Sequence, residues 1–148
     1  MNDQTVLIVE DEPHIAEVVA MQLRFGGLNS IITADAREAL IVLADRRVDL
    51  IVADVGLPGL SGVDLAHLLC GEPRCEHIPI VLLTGRSEGV SQEAIAGTRV
   101  VATILKPFSP RQVLRTVRVA IAESQAGLSG RAEGGAPCPI ADPARSAA

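Results

Sequence analysis

Apolar and polar positions along this chain fall into two alternating rhythms. Short runs dominated by Val, Ile and Leu occur at Val6–Val9, Ser30–Thr33, Leu50–Ala53, Ile78–Leu83 and Ala102–Leu105. Most are continuous rather than alternating, which is the pattern of strands buried on both faces of a parallel sheet. Between them the apolar positions recur at helical spacing. Ile15, Val18, Val19 and Leu23 share one face of a first helix. A second opens with Asp35 and Glu38 at capping-box spacing and buries Ala39, Leu40 and Leu43. A third runs from about Ser61 to Cys70, and a short fourth is expected around Ser91–Ala96, between Gly89 and Gly97. The last begins with Ser109 as N-cap and Pro110 at its first position, with Val113, Leu114, Val117 and Ile121 turned inward.

Five β–α units in succession predict an α/β fold, an open parallel sheet with helices on both faces. After Ser124 the apolar period stops, and Gly, Ala, Pro and Ser dominate. The expectation is one folded unit over residues 1–124 and a disordered extension over residues 125–148.

Composition narrows the function. Of 148 residues, 48% are apolar and 21% charged, which suits a folded domain. There is no Trp or Tyr and only Phe25 and Phe108, so the core is aliphatic. A net charge of −5 gives no electrostatic case for nucleic-acid binding. No apolar run approaches the ~20 residues of a membrane span. The N-terminus leads straight into a strand without a secretory pattern, and Cys70, Cys75 and Cys138 show no CxxC spacing. Both features suit the cytoplasm. Cys70, Cys75 and His77 do not form a usual zinc pattern and are expected as core or loop residues.

The chemistry is concentrated at the strand ends. In such sheets ligands bind at the carboxyl ends of the strands, where the strand order reverses. The first strand is followed by Glu10-Asp11-Glu12 and the third by Asp54; the fourth ends at Thr84 and the fifth at Lys106. A nucleotide fold would place a glycine-rich loop after the first strand. Here that position reads VEDEPH, which would repel a phosphate unless a cation came between them. Mg²⁺ takes oxygen ligands and typically pairs one or two carboxylates with a phosphate. Asp54 then serves as nucleophile and metal ligand together, since a carboxylate can hold a phosphoryl group as an acyl phosphate. Lys106 and the Thr84 hydroxyl would neutralise and bind the remaining oxygens, and the Gly56 carbonyl would complete the metal shell. Gly56 and Gly59 are expected to let the loop approach closely.

The stretches VLIVEDEP (6–13), DVGLPGLSG (54–62), VLLTG (81–85) and LKPF (105–108) together resemble the receiver domain of two-component response regulators. The resemblance spans residues 4–122, in order and at the family's spacing. It implies a sheet of strand order 2-1-3-4-5 and a phosphoaspartate at Asp54, donated by a histidine kinase or a histidine phosphotransfer protein. It implies Mg²⁺ held directly by Asp11, Asp54 and the Gly56 carbonyl, with Glu10 acting through water. Thr84 and Lys106 become phosphate sensors, and the Lys106–Pro107 peptide is expected to be cis. The family's fourth helix, fifth strand and last helix serve partners and dimers, which makes Arg111, Arg115 and Arg118 of the last helix a candidate partner face.

Three positions depart from the family pattern. Thr103 stands where the family carries Tyr or Phe, so the aromatic half of the switch is missing, and the usual GA pair reads Arg99-Val100. Gly56 and Arg86 occupy the positions that tune phosphoryl lifetime. Gly56 offers no side chain to guide water, and Arg86 either covers the phosphate or points to solvent; slow self-hydrolysis is expected.

The resulting expectation is a stand-alone, cytoplasmic phosphoacceptor rather than an enzyme. It would bind an unknown downstream protein or relay phosphate onward, without DNA or membrane as partner, since no helix-turn-helix fits after Ser124. Two alternatives stay open. One is a pseudo-receiver that binds partners without phosphorylation, which Thr103 keeps in play. The other is a Mg²⁺-dependent phosphatase with an aspartyl nucleophile, although the dehalogenase-like enzymes carry that nucleophile as DxD after the first strand.

Overall fold

The computed structural model describes residues 4–85 and 89–130. Five strands, β1 (Thr5–Val9), β2 (Asn29–Thr33), β3 (Leu50–Asp54), β4 (Ile80–Thr84) and β5 (Val100–Leu105), form one sheet of order β2-β1-β3-β4-β5. Every pairing is parallel. Four helices accompany it among the described residues: α1 (Pro13–Phe25), α2 (Ala36–Asp45), α3 (Gly62–Cys70) and α4 (Pro110–Gly130). None is long and apolar enough to cross a membrane.

The continuous apolar runs are explained by two cores, one on each face. Leu7, Ile51, Ala53 and Leu82 point towards α2 and α3. Val6, Ile8, Val52 and Leu83 point towards α1 and α4. Successive strand residues therefore enter opposite cores, and β3 and β4 are buried at every position. The edge strands β2 and β5 are only partly covered.

The helix ends follow their sequence signals. The Asp35 side chain accepts from the Glu38 N–H at 2.9 Å, and the Glu38 carboxylate accepts from the Ala34 N–H at 2.9 Å. Ser61 and Asp64 close a reciprocal capping box at the start of α3. The Ser109 hydroxyl accepts from the Arg111 N–H at 3.2 Å where α4 begins.

Three expectations are corrected. Residues 91–98 form turns, not a helix, with i→i+3 bonds from the Ala94, Ala96 and Thr98 N–H groups to the Ser91, Glu93 and Ile95 carbonyls. Gly89 before the segment and Gly97 within it take positive φ of 53° and 83°, and so short a segment cannot repay helix nucleation. In α1 the buried positions are Ala16, Val19, Ala20 and Leu23, whereas Val18 is 44% exposed, because the two alanines let the helix sit closer to the sheet on a rotated face. Finally, α4 continues through Gly130 rather than stopping near Ser124, because Gln125, Ala126 and Leu128 favour the helix without any apolar period. The remainder of the expected tail, 131–148, with Cys138, lies outside the described residues.

Candidate phosphoacceptor site

Strand order reverses between β1 and β3, since β1 pairs with β2 on one side and β3 on the other. Asp54 closes β3 at this point and is buried, 4% exposed. Glu10 follows β1, fixed there by its N–H donating to the Thr33 carbonyl at 3.0 Å, and it is 2% exposed. Asp11, next in sequence, is exposed. Carboxylate oxygens of Glu10, Asp11 and Asp54 all lie within 4.8 Å of one another. Lys106 reaches them from the end of β5, where its N–H donates to the Thr84 carbonyl at 2.8 Å. Its ammonium stands 3.1 Å from Asp54 Oδ1 and 3.4 Å from Glu10 Oε1. The peptide joining Lys106 to Pro107 is cis, as the resemblance implies.

The electrostatics of this cluster are strained by burial. Desolvation, and then the Asp54 charge, push the Glu10 carboxyl up to about 7, against the opposing pull of Lys106 and the Glu12 N–H. That N–H donates to Glu10 Oε2 at 3.2 Å. Burial works against the Lys106 charge too, but its hydrogen bond to Asp54 and the charges of Glu10 and Asp54 outweigh it and hold the ammonium above its ordinary pKa. Lys106 is thus a permanent cation here. One lysine faces two buried carboxylates, and apart from its ammonium Glu10 Oε1 and Asp54 Oδ1 have no hydrogen-bonding partner among the described residues. An oxygen-rich, under-neutralised pocket of this kind fits a hard divalent cation, which needs ligands from more than one carboxylate and tolerates water in the rest of its shell. Among the described residues, this is the one His/Cys/Asp/Glu cluster with the closeness to hold a metal.

Thr84 ends β4, is 7% exposed, and its hydroxyl donates to the Gly85 carbonyl at 3.2 Å. Gly56 lies exposed in the turn directly after Asp54. Thr103 is not gathered into the cluster: it pairs with Leu82 in mid-β5 and is exposed. Arg86 lies outside the described residues. Arg111 and Arg115 are exposed on α4, but Arg118 has an internal use, donating to the Gly26 carbonyl at 3.1 Å where α1 ends.

The close approach assigned to Gly59 belongs instead to Gly62. A Cβ on Gly59 would meet nothing within 4 Å, and glycine is needed there for a φ of +77°. A Cβ on Gly62 would stand 2.7 Å from the Asp54 carbonyl oxygen. The Gly62 N–H donates to the Val55 carbonyl at 3.3 Å, so the start of α3 is pressed against the end of β3. The sequence signal was a glycine at the first helical position, directly after the Ser61 cap.

Comparison with known proteins gives a consistent picture. A family model for the response regulator receiver domain matches residues 6–118. The chain is 36% identical over 131 residues to the phosphate regulon transcriptional regulatory protein PhoB of Pseudomonas aeruginosa, covering 87% of this chain and 56% of the relative. It is 30% identical over 124 residues to the DNA-binding response regulator MtrA of Mycolicibacterium smegmatis, covering 82% of this chain and 52% of the relative. The chain therefore spans about half the length of the curated relatives it matches. Among solved structures, the receiver domain of a Pseudomonas aeruginosa sensor histidine kinase superposes with a TM-score of 0.72 at 26% identity, covering 82% of this chain and 99% of that one. That structure has a magnesium ion coordinated in its active-site cleft.

Proposed function

This chain belongs to the response regulator receiver family of two-component signalling, and on that premise we propose that it is a phosphorylation-dependent switch whose acceptor is Asp54. The observation that carries the reading is the convergence of Asp54, Glu10, Asp11 and Lys106 on one sheet edge, with the Lys106 ammonium 3.1 Å from Asp54. A histidine kinase or a histidine phosphotransfer protein presents a phosphohistidine. An Asp54 carboxylate oxygen attacks phosphorus, the P–N bond breaks, and the imidazole leaves with the electron pair and takes a proton. The product is an acyl phosphate on Asp54.

Asp11, Asp54 and the Gly56 carbonyl would hold Mg²⁺, with Glu10 acting through water; the ion supplies charge neutralisation for the transferring phosphoryl group. Lys106 neutralises a second oxygen from the opposite strand. Thr84 turns its hydroxyl from the Gly85 carbonyl to the new phosphoryl group and carries the change into the segment after β4. With Thr103 exposed and no aromatic side chain in its place, the signal leaves through that segment rather than through an inward-swinging ring. Gly56 offers nothing to guide a hydrolytic water, which supports slow autodephosphorylation.

The output is proposed as contact with another protein, or onward relay of phosphate, in the cytoplasm. The receiver unit is proposed to end with α4, and the residues after Gly130 to be a tail. DNA binding is named for the second relative, and no case for it arises from the charge of this chain. A homodimer would use the turns at 91–98, β5 and α4, with Arg111 and Arg115 as the accessible cations.

The test is intact mass after incubation of the full chain with acetyl phosphate, with and without Mg²⁺, beside Asp54→Asn. A Mg²⁺-dependent gain of one phosphoryl group, absent in the variant, is expected. No gain in a folded, Mg²⁺-binding protein, from acetyl phosphate or from any histidine kinase, would replace this reading with that of a pseudo-receiver.

A further inference from the structure

At the opposite end of the sheet from Asp54, between the end of α2 and the loop leading into β4, lies a cleft of about 260 Å³. Its floor is apolar: Leu43, Val48, Cys75 and Ile78 are each 6% exposed or less. Its rim carries the guanidinium groups of Arg46, Arg47 and Arg74, with His77 beside them, all exposed. One carboxylate, Asp45, joins the lining. Within the lining itself three guanidinium groups face one carboxylate, with Asp49 and Glu72 standing just outside it.

The ordinary uses of these arginines do not consume them. The Arg74 guanidinium donates one bond, 3.1 Å, to the Ala44 carbonyl at the end of α2, which fixes it across the cleft and leaves its other donors available. Arg47 meets Asp49 at 3.7 Å, but its side chain is 89% exposed, and such a pair is worth little. Asp49 is itself committed to the start of β1, where Asp49 Oδ2 accepts from the Thr5 N–H at 2.8 Å. No side-chain bond to another described residue holds Arg46. The floor stays uncharged, since burial, reinforced by Glu72 and opposed by Arg74, raises the Cys75 thiol.

We infer that this cleft binds a small amphipathic anion, a carboxylate or phosphate monoester carrying a short apolar chain. The head would lie among Arg46, Arg47 and Arg74, where planar guanidinium groups match such oxygens in bidentate fashion. The chain would cover Leu43, Val48 and Ile78. The volume admits a ligand somewhat smaller than drug-sized ones, whose sites begin at about 300 Å³. Val48 and Ile78 precede β3 and β4, so the five-residue strands, at about 3.3 Å per residue, separate this site from Asp54 by ~17 Å. It is therefore a second site on the same two strands, and its occupation does not depend on the phosphoacceptor chemistry.

The experiment is titration of the ¹⁵N-labelled full chain with octanoate and, separately, octyl phosphate, followed by amide shifts, with 1-octanol and inorganic phosphate as arms that each lack one half of the ligand. Saturable shifts confined to residues 43–48 and 74–78 are expected with at least one amphipathic anion, and the tighter of the two identifies the head group. Affinity should fall at least tenfold for 1-octanol, for inorganic phosphate, and for the amphipathic anion with Arg46→Gln or Arg74→Gln. Arg46→Gln removes no bond of the fold, so weakened binding at an unchanged melting temperature isolates the charge. Shifts that do not saturate, that centre elsewhere, or that survive both substitutions unchanged would overturn the inference.

Discussion

Lys106 reaches Asp54 from two strands away, placing its ammonium 3.1 Å from Asp54 Oδ1 while still 3.4 Å from Glu10 Oε1. One cation is thus shared by two buried carboxylates. The shortfall falls on Glu10, whose carboxyl is pushed up to about 7 by burial and by the Asp54 charge.

The pH dependence follows from that shift. In the unfolded chain Glu10 ionises near 4.5, in the folded one near 7, so between these values the native state binds the extra proton. Its contribution to stability is fully present below pH 4.5 and is lost as pH rises through 7. With a chelator present, urea unfolding across this range should show the wild type losing stability relative to Glu10→Gln as pH increases. A difference between the two that stays flat with pH would contradict the assignment.

Mg²⁺ should reverse that penalty by binding the folded state alone. At ten times its dissociation constant the ion adds about 1.4 kcal/mol to stability. Thermal unfolding should shift upward with Mg²⁺ in the wild type and barely move in Asp11→Asn. An equal shift in the variant would remove Asp11 from the metal shell.

Gly62 and Gly59 should respond differently to the same substitution. In Gly62→Ala the new methyl meets the Asp54 carbonyl at 2.7 Å, a backbone atom with no freedom to yield. Overpacking of this kind costs about 1–3 kcal/mol and displaces the acceptor, so urea stability and the rate of phosphorylation should fall together. Gly59→Ala meets open space and bears only its left-handed conformation, about 1–2 kcal/mol, with the rate largely kept.

The three arginines of α4 should separate by role. Arg118→Ala removes the bond to Gly26 at the end of α1 and should cost on the order of 1 kcal/mol in chemical denaturation. Arg111→Ala and Arg115→Ala should stay within about 0.5 kcal/mol of the wild type and act, if at all, on partner binding.

These contrasts mark how far the sequence could be read. The five strands were legible because both faces of the sheet are buried, so their apolar runs are continuous. Asp54, Thr84 and Lys106 were legible because each stands directly after such a run. What escaped depends on contacts between distant segments. Gly62 and Asp54 approach across the β3–α3 turn, which no local pattern records. Arg118 lies at helical spacing with Arg111 and Arg115, yet Gly26 gives it a partner 92 positions away. The segment 91–98 has helical composition, but two positive-φ glycines and a Ser91 hydroxyl accepting from the Ala94 N–H at 3.0 Å favour turns. Val18 was misassigned because small Ala16 and Ala20, not the larger residue, face the sheet.

The most direct test of the central claim locates the phosphoryl group itself. Protein treated with acetyl phosphate and Mg²⁺ would be reduced with borohydride, which converts an acyl phosphate on aspartate to homoserine, and then mapped by peptide mass spectrometry. The account predicts homoserine at position 54 and nowhere else. Homoserine at Asp11, or an unmodified Asp54 in protein that has gained a phosphoryl group, would contradict it.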